Sequence, residues 1–138
     1  MARIIGIDYG SKRVGLATTD PLKIIATGLT TVETPGLFPF LSNYILSNEV
    51  ECFVVGYPVN MDNTPGKFTG EVDKFIDKLK ITFPGIAVEH IDERLTSKMA
   101  FQTMIDSGIG KMKRRNKSLI DKISATIILQ SYLEKTNT

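Results

Sequence analysis

Four carboxylates stand where their oxygens could do chemistry: Asp8, Asp92, Glu93 and Asp121. Asp8 closes the apolar run "IIGID" and is followed at once by "YGSKR", a glycine turn with two cations. An ionised carboxylate in an apolar strand is costly unless something positive meets it. Asp92 closes a second β-rich run, "IAVEHID", and Glu93 follows it directly, before Arg94. Asp121 opens a helical stretch in which positions i+4, i+7 and i+11 are Ala125, Ile128 and Tyr132. It therefore projects from a largely apolar stripe, toward a sheet rather than toward water.

Each acid also has a local reading. Asp8 can be a turn residue bonding nearby N–H groups. Asp92 and Glu93 can pair with Arg94 or cap the helix that follows. Ser118 and Asp121 match a capping box with Asp in place of Glu, and Asp121 gains from the helix dipole. Three such positions together favour one shared cause. Carboxylates within a few ångströms of each other stay ionised only around a cation. Oxygen-only ligands suit Mg2+ or Mn2+ rather than zinc. Strand alternation lets only one of Asp92 and Glu93 face a shared centre. The single histidine, His90, reads as a core residue of its strand.

The cations are distributed unevenly. "KMKRRNK", Lys111 to Lys117, carries five in seven residues. Such a block is either a solvated loop or a footprint for a phosphate backbone.

The elements that must position these groups follow from periodicity. "RIIGIDYG" and "RVGLATTD" read as a hairpin, and Ile24 to Thr34 as a third strand. "LFPFLSNYILSNEV" reads as a helix with Pro39 in its first turn. "CFVVGYPV" suits a strand buried on both faces. Phe68, Val72, Phe75, Ile76, Leu79 and Phe83 mark one face of a helix that Pro84 and Gly85 stop. A fifth strand, a helix over 96–108 and a final helix over 118–133 complete the chain. The expectation is an α/β fold whose mixed sheet has its first three strands antiparallel. Ligands of such sheets collect beyond the carboxyl ends of the strands.

At 138 residues the chain is expected to form a single domain, 1–138. Net charge is only +2, so total charge excludes little. No apolar run approaches the roughly 20 residues of a membrane span. "MARIIGIDYG" runs directly into a strand, which reads against a signal peptide. Cys52 is the only cysteine; it reads as a small core hydrophobe in a reducing compartment, the cytoplasm.

Four blocks, "GIDYGSKRVGLA", "VVGYPVNMDNTPG", "DERLTS" and "IDKISATIILQSYL", occur in this order over nearly the whole chain. Together they resemble the YqgF/RuvX family of the ribonuclease H-like superfamily. Its members are described as pre-16S rRNA nucleases and, in older usage, as Holliday junction resolvases. Asn63 stands where the family often has Gly, and Ser124 where Ala is common; neither change touches an acid.

The resemblance implies a ribonuclease H-like fold, a five-stranded sheet flanked by helices. It implies catalytic, metal-binding acids at Asp8, Glu93 and Asp121, with Asp92 the second choice of the adjacent pair. The implied reaction is phosphodiester hydrolysis with two Mg2+ or Mn2+ ions roughly 3.5–4 Å apart, Asp8 bridging them. Lys12, Arg13, Arg94, Lys111, Lys113, Arg114, Arg115 and Lys117 would hold the nucleic-acid backbone. Pre-rRNA, in the setting of a ribosome precursor, is the expected substrate. A four-way DNA junction and a noncatalytic RNA-binding role are the alternatives. A monomer or weak homodimer fits, because no dedicated dimer helix is evident. The first block also resembles the first phosphate loop of actin, Hsp70 and sugar-kinase ATPases, but this chain is too short for their second domain.

Overall fold

The structure, a computed structural model, describes residues 2–20, 25–57, 69–92 and 117–136, with side chains from 121 onward in the last segment. Three strands come first: β1 (Arg3–Tyr9), β2 (Arg13–Thr19) and β3 (Ala26–Glu33). A 3-10 turn, Thr34–Gly36, leads into α1 (Leu37–Ser47). Then follow β4 (Val50–Tyr57), α2 (Thr69–Thr82), β5 (Ala87–Asp92) and α3 (Lys117–Thr136). The sheet order is β3-β2-β1-β4-β5. β1–β2 and β2–β3 are antiparallel, whereas β1–β4 and β4–β5 are parallel. The expected five-stranded mixed sheet, antiparallel in its first three strands, is the one observed.

Alternation along β1 divides the core into two layers. Ile5 and Ile7 face Leu41, Phe75 and Leu79 of α1 and α2. Ile4 faces the other way, into a cluster with Ala125, Leu129 and Leu133 of α3. β4 is an interior strand, buried at Cys52 through Gly56 as its continuous apolar run requires. The Cys52 thiol is pushed up to about 11, first by burial and then by the Glu89 and Glu51 carboxylates.

Three local expectations change. The helix beginning at Leu37 ends at Ser47, and Val50 already belongs to β4. Asn48 is extended there, and both its N–H and its side-chain amide donate to the Tyr44 carbonyl. The Arg3 N–H then donates to the Glu49 carbonyl at 2.8 Å and draws the chain into the parallel ladder. His90 is exposed rather than buried, because β5 is a sheet edge; its ring lies 5.1 Å from that of Tyr57. Ser118 stands inside α3, which spans Lys117–Thr136, rather than before it. The helix expected over 96–108 lies outside the described residues, as does Phe68. Among the described residues no helix is long and apolar enough to cross a membrane.

Candidate functional site

Gly6 and Asp8 lie on one face of β1, two residues apart. A Cβ on Gly6 would come within 2.7 Å of Leu129 Cβ and 2.9 Å of the Ala125 carbonyl oxygen. That face is therefore the α3 face, and Asp8 shares it at the carboxyl end of the strand. The Cα partner of Asp8 on β2 is Gly15. A Cβ on Gly15 would collide with the backbone carbonyl of Asp121. The α3 backbone can approach this closely only because both strands carry glycine at the crossing point. The result brings residues 8 and 121, far apart in sequence, to one corner of the sheet.

The Asp121 side chain meets a cation in that corner. Arg13 Nε donates to Asp121 Oδ2 at 2.8 Å, with the two side chains 33% and 22% exposed. Arg13 precedes Gly15 by two residues on β2 and so points to the same face. The Asp121 carboxylate is thus paired with Arg13. Ala125 and Ile128 are buried beneath α3, as the apolar stripe below Asp121 requires.

β5 contributes the third strand end. Ile91 is buried in the α3 cluster, whereas Val88 packs on the opposite layer. Alternation then assigns Asp92 to the face away from α3, opposite Tyr57 on β4. Glu93, the preferred acid of the pair, lies outside the described residues. β5 is two strands from β1, a spacing of about 10 Å between backbones. Among the described residues no three His, Cys, Asp or Glu side chains form a metal-holding group.

The turn beside Asp8 is pinned from below. Thr34 Oγ1 donates to the Gly10 carbonyl at 2.7 Å, and the Thr34 N–H donates to the Lys12 carbonyl at 3.0 Å. Lys12 is exposed and lines a cleft of about 510 Å³ with Ser11, Arg13 and Glu33. Arg94, Lys111, Lys113, Arg114 and Arg115 lie outside the described residues, as does the side chain of Lys117.

The donors in this corner fit a hard divalent cation. They are carboxylate oxygens on one face, and Asp121 already holds a positive group, the guanidinium of Arg13, at hydrogen-bond distance. Sequence reasoning did not identify the Arg13–Asp121 pair or the role of Gly15. The signal for the latter was glycine inside a strand pattern, which marks a close backbone approach.

Comparison with known proteins defines the class first. The fold is similar to that of a Fowlpox virus resolvase solved with substrate Holliday junction DNA, at a TM-score of 0.62 and 14% identity over 99% of each chain. It is also similar to T. thermophilus RuvC in complex with a Holliday junction substrate, at a TM-score of 0.59 and 14% identity, covering 100% of this chain and 98% of that one. The architecture is the ribonuclease H-like fold of these resolvases.

The family follows from sequence. A family model described as "RuvX: Holliday junction resolvase" matches residues 2–135. A Flavobacterium psychrophilum protein named "Putative pre-16S rRNA nuclease" is 51% identical over 135 residues, covering 98% of each chain. A Porphyromonas gingivalis protein of the same name is 52% identical over 134 residues, covering 97% of each. The chain belongs to the RuvX family, as its four sequence blocks imply.

Proposed function

We propose that this protein is a metal-dependent endonuclease hydrolysing phosphodiester bonds, and that its substrate is precursor 16S rRNA at the 5′ end. The observation that supports the reading is the backbone proximity of positions 8 and 121 on the α3 face at the carboxyl end of β1, which Gly15 permits. The names of relatives about half identical over nearly the full chain support the RNA substrate.

Asp8, Asp121 and Glu93 are the residues that would hold Mg2+ or Mn2+. When bound, such ions supply a water of lowered pKa and neutralise charge on the scissile phosphate. The chain itself supplies orientation. The Asp8 carboxylate is set by a paired strand, and Asp121 by a helix locked on two glycines. The pinned β1–β2 turn presents Lys12 to the incoming backbone, and Arg94 and the cations of 111–117 are the further residues that would contact phosphate. The reading takes the chain as one nuclease domain. A buried, high-pKa thiol at Cys52 suits the reducing cytoplasm.

The test is cleavage of precursor 16S rRNA against a four-way DNA junction, with Mg2+ and with Mn2+. Asp8→Asn is expected to abolish cleavage, a loss beyond the roughly 10–100-fold typical of residues that only support a ligand. RNA binding should be kept or improved, because a negative charge facing phosphate is gone. Persisting cleavage in the purified variant would overturn the assignment of Asp8. The family's description favours a second reading, junction resolution. That activity needs two symmetric cuts and hence a two-fold dimer, so preferential junction cleavage by a dimer would replace the RNA reading. RNA binding without any cleavage would leave a noncatalytic module.

A further inference from the structure

The β1 end carries a second feature on its other face. Asp8 points toward α3, and Tyr9, the next residue, toward α1 and α2. Tyr9, Phe38, Glu71, Lys74 and Lys78 line an open cleft of about 490 Å³ there, with Ser11 of the pinned turn at its rim. Its aromatic wall comes from three elements. Tyr9 stacks on Phe75 with ring centroids 4.1 Å apart and planes at 14°. Phe38 meets the same Phe75 edge-on at 5.9 Å. Tyr9 and Phe38 are half-buried, so each presents part of a ring to the cleft. Lys78 Nζ lies 4.4 Å from the Phe38 centroid.

The charges are ordered along the cleft. Glu71, Lys74 and Lys78 fall at i, i+3 and i+7 on α2, one helix face. Glu71 and Lys78 are separated by about 10 Å of helix rise. Two lysines against one glutamate leave a net positive cleft, with its negative end beside Tyr9. A phosphate is repelled at the Glu71 end and attracted at the Lys78 end. An aromatic base fits the opposite way, against the rings.

We infer that this cleft is a binding subsite for one nucleotide of a single-stranded RNA that flanks the scissile phosphate, its base against Tyr9 and Phe38 and its phosphate on Lys74 and Lys78. Rings beside lysines are the elements by which proteins hold single strands, stacking on bases and tracking the backbone. The inference rests on the nuclease reading for its direction, because the strand must turn around the β1 end from the Asp8 face to the Tyr9 face.

The test uses the full chain carrying Asp8→Asn, expected to bind without cutting, and short RNAs with 5-iodouridine at successive positions. Ultraviolet crosslinking and peptide mapping read where each base sits. Adducts on Tyr9 or Phe38 are expected for one or two adjacent positions only. Adding Lys74→Glu and Lys78→Glu, both on exposed residues outside the core, should remove these adducts and weaken binding at least about tenfold. Adducts confined to other peptides, or unchanged affinity in the charge-reversed chain, would overturn the subsite. Cleavage by the unmutated chain is measured in parallel. Cutting without cleft adducts rejects the subsite alone, and cleft adducts without cutting reject the nuclease reading alone.

Discussion

At the scale of single residues, Arg13 and Asp121 govern one another. Arg13 looks like a cation for substrate, but its Nε–H is committed to the Asp121 carboxylate at 2.8 Å. A guanidinium at hydrogen-bond distance from a proposed metal ligand does two things. It keeps that carboxylate oriented and neutralised, and it competes with any incoming cation. Partly exposed pairs of this kind contribute little to stability, about 0.2–1 kcal/mol. Arg13→Ala should therefore lower the melting temperature only slightly in metal-free buffer. It should enlarge the rise produced by Mn2+, because ligand binding stabilises in proportion to the affinity it gains. Thermal melts of both chains with and without Mn2+ measure this. A variant responding to Mn2+ no more than the parent would mean that Arg13 does not compete for Asp121.

Between elements, the decisive contact is α3 lying on glycine. A methyl at Gly15 meets the Asp121 carbonyl, which belongs to helix backbone and cannot rotate away. Gly15→Ala should lower the unfolding free energy by about 1–3 kcal/mol, the usual cost of overpacking, as read by denaturant midpoint. It should also reduce cleavage more than its stability loss explains, since α3 carries Asp121 away from Asp8 as it moves. An unchanged midpoint would mean that the close approach is not enforced at Gly15.

The same contact explains what the sequence discloses. Hairpin, strands and helix faces are local patterns with periods of two or 3.6, and β1, β2, α2 and α3 appear nearly as periodicity places them. The apolar stripe below Asp121 is legible for the same reason. The Arg13–Asp121 bond joins residues 108 positions apart and leaves no periodic trace. Asp121 therefore resembles a helix cap until the fold supplies its partner. His90 reads as core because strand neighbours look buried until sheet order makes β5 an edge. Tyr9 and Phe38 look like ordinary core aromatics because the cleft exists only where three elements meet.

For the whole molecule, the question is what draws a polyanion to this sheet end. The chain has 17 Lys and Arg against 15 Asp and Glu, so no strong overall field steers it. Attraction must come from local groups, and five of the 17 cations fall in Lys111–Lys117. α3 begins at Lys117 and carries Asp121 one turn later, so the block is joined directly to the helix that frames the candidate site. Contacts to phosphate raise affinity by releasing counterions, and for single strands each contributes about 0.7 to the slope of log affinity against log salt. Arg114→Ala, made in the Asp8→Asn chain, should weaken binding of unrelated RNA sequences alike, because phosphate contacts carry no base information. It should also flatten the salt slope by about 0.7 between roughly 50 and 200 mM salt. Fluorescence anisotropy across that range separates the possibilities. A fall in affinity for one sequence alone would make Arg114 a reader of bases, and an unaltered slope would remove it from the phosphate path.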